Sequence, residues 1–511
     1  MNIHTEIAVI DASLGGVLAA WRACQAGRRV VLTSRHRWLG GQMTAQGVPP
    51  DEHRLIEQPG SASQSYLDFR RSIRAHYRAE PGFQDHTAMT EGCNPGDGWV
   101  SRLCFEPAVA AGYFERLLAP FIAEGRLTLL RGCWPTAVAR EGRLLRSVGL
   151  SSGAVLQATY FLDASDTGEL LKLGALPYRL GKESRAEFGE SLAPAQADAL
   201  DQQPVTHVIA LRRQATPGPV IAAPARYAFW RAHRLPHYRH AQFSDSIPGA
   251  GRGESRRLPL FAPTDDPQDT ALDLWRYRRI VARHQWADGR AEVSLINWAQ
   301  NDYGLHPLLD GPLPEAEVAA AARELSLCLL HWLQTEADGI GYPTLQPAPE
   351  VLGTADGLAQ QVYVRESRRI VGLDCLTQPR VQAGEVCPDS VGIAWYMMDM
   401  HPTCISGQGL NAHVRPFELP LGCFIPADCD NLLPACKNIG VSHLVNACTR
   451  VHPAEWLVGE VAGLLAAFAL AQDLSPAQIH ARPEQVQAFQ QSLQAVGIPL
   501  HWDAGLLARL Q

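Results

Sequence analysis

Two histidines and a pair of arginines are the residues best suited to acid–base and anion chemistry. An imidazole exchanges protons close to working pH, so His452 and His401 are candidates for general acid–base catalysis. A purely structural role is the alternative for each of them. Arg365 and Arg369 could clamp an anionic ligand through their planar guanidinium groups. An internal ion-pair network with the intervening glutamate is equally compatible with the pattern.

The first residues predict a nucleotide-binding unit that would position such groups. Ile7–Ile10 is a short apolar run typical of a strand buried on both faces. Val17–Gln25 has the small and apolar composition of a helix, and Val30–Thr33 is a second apolar run. Strand, turn, helix and strand in about 30 residues form the β-α-β unit that binds dinucleotides.

The turn inside this unit departs from the usual G-x-G-x-x-G pattern. Asp11, Ser13 and Gly16 stand at the three glycine positions, so only the glycine that packs helix on strand remains. Asp11 either forms the turn and weakens dinucleotide binding, or marks a site that has lost or changed its ligand. Ser34 replaces the acid that usually bonds the ribose, although a hydroxyl can still make a hydrogen bond there. The predicted contacts of the unit are Ser13, Gly15, Gly16 and Ser34.

Several motifs, in a fixed order along most of the chain, resemble those of the bacterial FAD-dependent oxidoreductase family. The run W-L-G-G-Q at Trp38–Gln42 is one, and R-E-S-R-R at 365–369 is another. The longest match begins at Asn431 and continues through R-V-H-P-A-E-W at Arg450–Trp456. The other matching segments are Trp99–Pro107, Phe161–Glu169, Ile296–Trp298, Asn301–Tyr303 and Gly459–Gly463.

This resemblance implies an α/β fold, a Rossmann-like FAD-binding domain with an inserted mixed α+β substrate or cap domain. It implies FAD as cofactor. General flavin chemistry then predicts hydride transfer from a small polar organic substrate, with an anionic substrate as one alternative. The resemblance also places the arginine group near the active site. For Asp163, a contact with the nucleotide and a cap for the following helix are equally compatible with the sequence. The cofactor-binding residues that the resemblance adds are Gly40, Gly41, Gln42, Val138, Asp163, Arg450 and Trp456.

The 511 residues exceed the usual size of one domain, about 100–200 residues. We expect a discontinuous FAD-binding domain at 1–50, 100–175 and 430–475. A helical excursion at 51–99, a substrate or cap domain at 176–429 and C-terminal helices at 476–511 complete the predicted organisation.

The amino-acid composition argues against several classes of binding partner. A net charge of −7 gives no basic footprint for nucleic acid, and no apolar stretch is long enough to predict a membrane span. Twelve cysteines without paired spacing favour reduced thiols in a cytoplasmic protein, and no metal site is predicted. The electron acceptor and the oligomeric state stay open. The alternative to an FAD enzyme is a flavoprotein fold that has lost FAD and binds a ligand or partner.

Overall fold

The computed structural model describes residues 2–87, 92–249, 253–262 and 271–510. Its strands are β1 (Asn2–Ile10), β2 (Val30–Ser34), β3 (Leu127–Arg131), β4 (Pro135–Glu141), β5 (Leu144–Leu150), β6 (Val155–Asp163), β7 (Tyr178–Arg179), β8 (Val205–Thr206), β9 (Ile209–Arg213), β10 (Ser246–Pro248), β11 (Ser255–Arg257), β12 (Arg279–Val281), β13 (Glu292–Ile296), β14 (Asp302–Tyr303), β15 (Leu345–Pro347), β16 (Arg369–Ile370), β17 (Ser390–Ala394), β18 (Met398–Met400), β19 (Leu410–Ala412), β20 (Phe417–Pro420) and β21 (Leu432–Pro434). Its helices are α1 (Leu14–Gln25), α2 (Gln64–Ala79), α3 (Pro107–Ala123), α4 (Glu169–Leu173), α5 (Arg185–Phe188), α6 (Tyr227–Ala232), α7 (Leu274–Tyr277), α8 (Glu315–Thr335), α9 (Pro349–Leu352), α10 (Gln378–Ala383), α11 (His443–Thr449), α12 (His452–Gln472), α13 (Pro476–His480), α14 (Pro483–Ala495) and α15 (Ala504–Ala508).

The largest sheet contains seven strands and carries the predicted nucleotide-binding unit. Its order is β3-β2-β1-β6-β5-β4, and β21 also pairs with β6. The neighbouring strands β3, β2, β1 and β6 are parallel, and β21 is parallel to β6. Strands β5 and β4 extend the sheet beyond β6 with antiparallel pairing. Ile7–Ile10 is fully buried, as a central parallel strand requires. The strand–helix–strand unit predicted from the first residues is present as β1, α1 and β2. The fold is α/β with a parallel Rossmann-type sheet.

Helices α1 and α12 lie against each other so closely that their backbones touch. A Cβ added at Gly459 would lie 2.2 Å from the carbonyl oxygen of Gly15. A Cβ at Gly463 would lie 2.2 Å from the carbonyl oxygen of Ala19. Glycine is therefore required at both positions of α12, because a side chain cannot occupy that space. This contact fixes the start of α12 beside the start of α1.

A second sheet and its own hydrophobic cluster form the region between β6 and β21. Four strands pair antiparallel in the order β12-β13-β9-β15. Helix α8 contributes Leu325, Leu329 and Leu333 to the buried cluster of this region. The inserted region is therefore a mixed α+β layer with a core of its own, attached to the Rossmann-type sheet.

Helix α12 is the one helix of the described residues that is long and apolar enough to cross a membrane. Its 21 residues have a mean hydropathy of 1.6 in the most apolar window. Within the protein, however, 78% of that window is buried. The apolar surface of α12 is thus covered by neighbouring helices and strands.

Candidate functional site

Asp11 forms the turn between β1 and α1. Its φ of +78° lies in the left-handed region that glycine adopts without strain. Its N–H donates to Thr33 Oγ1 at 2.9 Å, and its Oδ1 accepts from the N–H groups of Ala12 at 2.9 Å and Arg35 at 3.3 Å. Burial raises the pKa of this carboxyl group, and His36 opposes the rise. The turn therefore keeps a glycine-like backbone but places an acid where a glycine would leave space.

Two side chains bond the first N–H groups of α1. Ser13 is the N-cap, and its Oγ accepts from the N–H of Gly16 at 3.1 Å. Glu455, in the first turn of α12, accepts from the N–H of Gly15 at 3.2 Å through Oε1. A diphosphate at a helix N-terminus would use these same donors. An internal hydroxyl and an internal carboxylate therefore stand where an anionic ligand would bind.

The glycine loop after β2 lies directly on this helix terminus. Gly40 and Gly41 have φ values of +106° and +49°. A Cβ on Gly41 would lie 2.9 Å from Ser13 Cα, so only glycine allows the loop to approach so closely. Gln42 Nε2 donates to Glu455 Oε2, which holds the loop to the start of α12. The three predicted loop residues are thus together at the α1 terminus.

A buried ion network lies behind Glu455. Lys437 Nζ donates to Asp166 and lies 3.5 Å from Glu455 Oε2, while the Cys436 thiol donates to Glu455 Oε1 at 3.3 Å. The side-chain polar atoms of Asp166, Cys436 and Glu455 lie within 4.8 Å of one another. The ammonium of Lys437 already supplies positive charge there. Burial raises the pKa of Glu455, although Lys437 opposes the rise.

Ser34 and Asp163 make internal hydrogen bonds at the ends of their strands. Ser34 Oγ donates to the carbonyl of His36 at 2.8 Å. Asp163 accepts from the N–H of Ser165 at 3.1 Å and from the N–H of Leu170, in α4, at 2.9 Å. Burial raises the pKa of Asp163 to about 6, although these bonds oppose the rise. For Asp163 these contacts match the helix-capping alternative.

Trp456 lies in α12 and Val138 lies in β4 of the seven-stranded sheet. Trp456 is fully buried, its ring centroid is 5.2 Å from that of Phe69, and its Nε1 donates to Ser65 Oγ at 2.8 Å. Val138 is in β4, where it pairs with Val148 of β5. Both side chains pack within the protein.

The space left between the turn, the glycine loop and Asp166 is small. The cavity there measures about 10 Å³, roughly the room of one water molecule. Pockets for organic ligands usually measure about 300–1,000 Å³. Nevertheless His36 Nε2 and the Oε1 atoms of Gln42 and Gln46 are buried and have no hydrogen-bond partner among the described residues. The helix-terminus donors and these unpaired polar atoms fit the chemistry of FAD, provided that Glu455 and the Gly40–Met43 loop withdraw from the space that they fill.

A second cluster is centred on His401, at the junction of the inserted region with α12. His401 Nδ1 lies 2.5 Å from Asp302 Oδ2, and its Nε2 lies 3.6 Å from Asp399 Oδ2. Each aspartate also faces an arginine: Arg365 lies 2.9 Å from Asp302, and Arg450 lies 3.3 Å from Asp399. The side chain of His401 is 25% exposed, whereas both arginine side chains are 2% exposed. The buried pair Asp302–Arg365 and the partly exposed pair Asp399–Arg450 thus flank one partly exposed imidazole.

Electrostatics in this cluster favour a charged imidazole. Burial and Arg365 act to lower the pKa of His401, but Asp302 and Asp399 outweigh them and raise it above its usual value. Burial would raise the pKa of Asp302, yet Arg365 and His401 lower it to about 2. The two aspartates therefore favour the protonated form of His401.

His452 lies apart from this cluster and is enclosed. Its Nδ1 accepts from the N–H of Asp51 at 3.0 Å, and its Nε2 donates to the carbonyl of Val48 at 3.1 Å. Burial lowers its pKa to about 4, so the ring is neutral. Both ring nitrogens are thus used to hold the segment before α2 against α12.

Arg369 is also enclosed. It pairs with Glu183 at 2.6 Å and with Glu366 at 3.1 Å, and its side chain is fully buried. This is the internal network that the sequence left as an alternative to an anion clamp. The structure therefore brings Arg365, but neither Arg369 nor His452, to His401.

Several residues of these clusters, among them Asp302, Asp399 and Glu455, have no role predicted from the sequence. Asp302 belongs to the Asn301–Tyr303 motif, Asp399 comes two residues before His401, and Glu455 is within the Arg450–Trp456 motif. Asp302 and Glu455 lie inside matching motifs, and Asp399 lies close to the predicted His401; these positions are the available signals. Nothing in the spacing indicated which partners they would meet.

A further cavity of about 550 Å³ lies in the inserted region and shares no lining residue with either cluster. Among the described residues, Arg276 and Arg279 line it and pair with Asp273 and Glu292, each at 2.6 Å. Trp275 forms part of its wall. It is a polar cleft separate from the predicted cofactor site.

Solved flavoprotein structures resemble this fold at low sequence identity. L-proline dehydrogenase from P. horikoshii is 11% identical, with 42% of this chain and 62% of that chain covered and a TM-score of 0.27. A geranylgeranyl bacteriochlorophyll reductase-like protein from Thermoplasma acidophilum is 10% identical, with 98% and 86% covered and a TM-score of 0.32. The chain thus spans less than two thirds of the proline dehydrogenase, and scores this low carry no argument about function. No curated protein matches the sequence.

The family model for FAD-dependent oxidoreductases matches residues 6–493, which is nearly the whole chain. The match includes the β1–α1–β2 unit, the inserted region and α12. Because one family model accounts for both the Rossmann-type sheet and the insertion, the chain belongs to the FAD-dependent oxidoreductase family, whose cofactor is FAD.

Proposed function

We propose that this chain retains FAD and oxidises a small polar organic molecule. A substrate that carries an anionic group would suit His401 best. FAD, when bound, supplies the ring that accepts a hydride from a substrate C–H bond. The protein then has to hold the substrate and move one proton. The observation that carries this proposal is the His401 cluster, in which two ion pairs hold one accessible imidazole.

The chain's own residues suit these tasks. Asp302 bonds Nδ1 of His401, and Nε2 of this partly exposed ring lies 3.6 Å from Asp399 Oδ2. Arg365 keeps Asp302 ionised, and Arg450, which also donates to the Tyr363 hydroxyl at 2.7 Å, does the same for Asp399. Neutral His401 can accept the substrate proton through Nε2, and charged His401 can bind an anionic group.

The residues that would hold FAD are those around the start of α1. The N–H groups of Gly15 and Gly16 would bind its diphosphate once Glu455 and Ser13 Oγ give them up. Gly40 and Gly41 would allow close approach of the loop backbone, because they have no side chain. Lys437 would offer positive charge close by.

A second candidate is a protein of the same fold that has lost FAD and binds another ligand or a partner. The small cavity beside Asp11 favours it, since about 10 Å³ cannot hold a dinucleotide. The 550 Å³ cleft of the inserted region would then offer the space for a ligand.

The visible absorption spectrum of the purified protein separates the two candidates. Flavin bands in the native protein, or bands that appear after addition of FAD and persist through desalting, would support the oxidoreductase. Failure to retain flavin under both conditions would contradict it and leave the second candidate.

The proposal extends to the surroundings of the protein. All twelve cysteines are free, and ten of them are buried, which is compatible with a reducing cytoplasm. We therefore propose a cytoplasmic enzyme that acts without nucleic acid or membrane. The acceptor that reoxidises its flavin is to be found by testing oxygen, quinones and carrier proteins.

A further inference from the structure

Glu455 has an unusual position for a carboxylate in a cofactor-binding fold. It is 1% exposed and bonds three groups that surround the diphosphate position: the Gly15 N–H, the Gln42 amide and the Cys436 thiol. The nearest cation, Lys437, is shared with Asp166. The carboxylate thus satisfies the α1 terminus as an anionic ligand would.

A diphosphate and this carboxylate cannot occupy the position together. Like charges within a few ångströms in a buried site repel strongly, because little water screens them. Glu455 and Asp166 already share the charge of Lys437, and Arg35 pairs with Glu169, so the nearby cations are already offset by acids. Either Glu455 swings away or it becomes neutral.

We propose, on the basis of the proposed FAD function, that Glu455 is an internal anion that keeps the diphosphate position closed. FAD enters when a proton neutralises this carboxylate. A protonated Glu455 loses its attraction for Lys437 and for the helix N-terminus and can be displaced by the diphosphate. Cofactor loading is therefore coupled to uptake of one proton from solvent.

The surrounding charges set the sign of this coupling. Burial raises the pKa of Glu455, and a neighbouring diphosphate would raise it further. Between these two pKa values, each lowering of pH by one unit strengthens FAD binding by up to about tenfold. The other titratable or charged groups that face this position are Lys437, Cys436, Asp166, Asp11, His36 and Arg35.

The experiment measures the Kd of FAD from quenching of its fluorescence over a pH series, with the wild type and with Glu455→Gln. Glutamine keeps the size and the Gly15 hydrogen bond but not the charge. We expect wild-type Kd to fall by up to about tenfold per pH unit on acidification. The Glu455→Gln variant should bind FAD more tightly at neutral pH with little pH dependence. Titration calorimetry in two buffers of different ionisation enthalpy should give uptake of about one proton for the wild type.

Asp11→Asn and His36→Asn are the matched controls, since both residues titrate beside the same turn. Each control should retain the wild-type slope if Glu455 is the titrating group. A slope that persists in Glu455→Gln, or that disappears in either control, would overturn the proposal. Wild-type FAD binding that is independent of pH would also overturn the role of Glu455, but it would leave the proposed FAD function intact. Absence of FAD binding by both wild type and Glu455→Gln over the whole series would instead overturn the FAD function itself.

Discussion

The two charged clusters of this protein are built differently although both are largely buried. At the start of α1, Asp166 and Glu455 share Lys437, and Asp11 faces His36 and Arg35. Around His401, Asp302 and Asp399 each have an arginine of their own. Three carboxyl groups thus lie close together in the first cluster, whereas in the second each aspartate is paired with an arginine and both aspartates flank His401. On the proposed function, the first cluster has to rearrange before FAD binds, whereas the second is already arranged around His401.

The strongest test of the second cluster is His401→Gln. We expect the rate of flavin reduction by a substrate found through flavin bleaching to fall about 10²- to 10⁴-fold, because a positioned proton acceptor is lost. FAD content should stay that of the wild type. His413→Gln, at an exposed histidine, is the control and should leave the rate unchanged. An unaltered rate in His401→Gln would remove His401 from the mechanism.

The enclosed His452 should affect stability rather than catalysis. Its pKa of about 4 in the folded protein lies below the unfolded value of about 6.5, so the unfolded chain binds more protons between these values. The contribution of His452 to the free energy of unfolding is fully present above about pH 6.5. It decreases by about 1.4 kcal/mol for each pH unit below that value. Urea unfolding at several pH values should show a shallower dependence in His452→Gln. The same pH dependence in the wild type and in His452→Gln would mean that the His452 ring is not kept neutral by folding.

The contact between α1 and α12 holds Glu455 beside the start of α1. Adding one methyl group at a glycine of this contact tests how tight it is. Gly459→Ala should lower the free energy of unfolding by about 1–3 kcal/mol, because its Cβ would meet the Gly15 carbonyl. Gly112→Ala, also inside a helix, would meet only the end of the Arg116 side chain. That control should be neutral or stabilising by up to about 1 kcal/mol. Thermal unfolding of the two variants measures the difference, and equal melting temperatures would contradict the tight contact.

The smallest expected effect concerns Asp11. Asp11→Gly removes a negative charge from the turn and suits its φ of +78°. We expect the Kd of FAD to fall about tenfold, equivalent to about 1.4 kcal/mol. Fluorescence titration at one pH is sufficient, with Asp11→Asn to separate charge from backbone freedom. No change in either variant would show that the turn has adapted to its carboxylate.

The sequence predicts the elements better than the contacts between them. The apolar run at Ile7–Ile10 and its turn define β1 and α1 because burial and local backbone preference act over a few residues. Asp302 and His401 meet although they are 99 residues apart, and this pairing depends on how β14 and β18 are placed by the inserted region. Likewise Arg369 is next to Arg368 in sequence but joins a different network. Motifs identify such residues, whereas tertiary packing assigns their partners.

The backbone contact between α1 and α12 also constrains the order in which the protein can be completed during synthesis. Gly15 and its partner Glu455 are 440 positions apart. At the usual rate of about 5–20 residues per second, the ribosome needs roughly 20 to 90 seconds to make the intervening chain. During that interval the apolar first strand and helix exist without the helix that covers them. We therefore expect chaperones to bind the nascent N-terminal unit until the segment that contains α12 emerges.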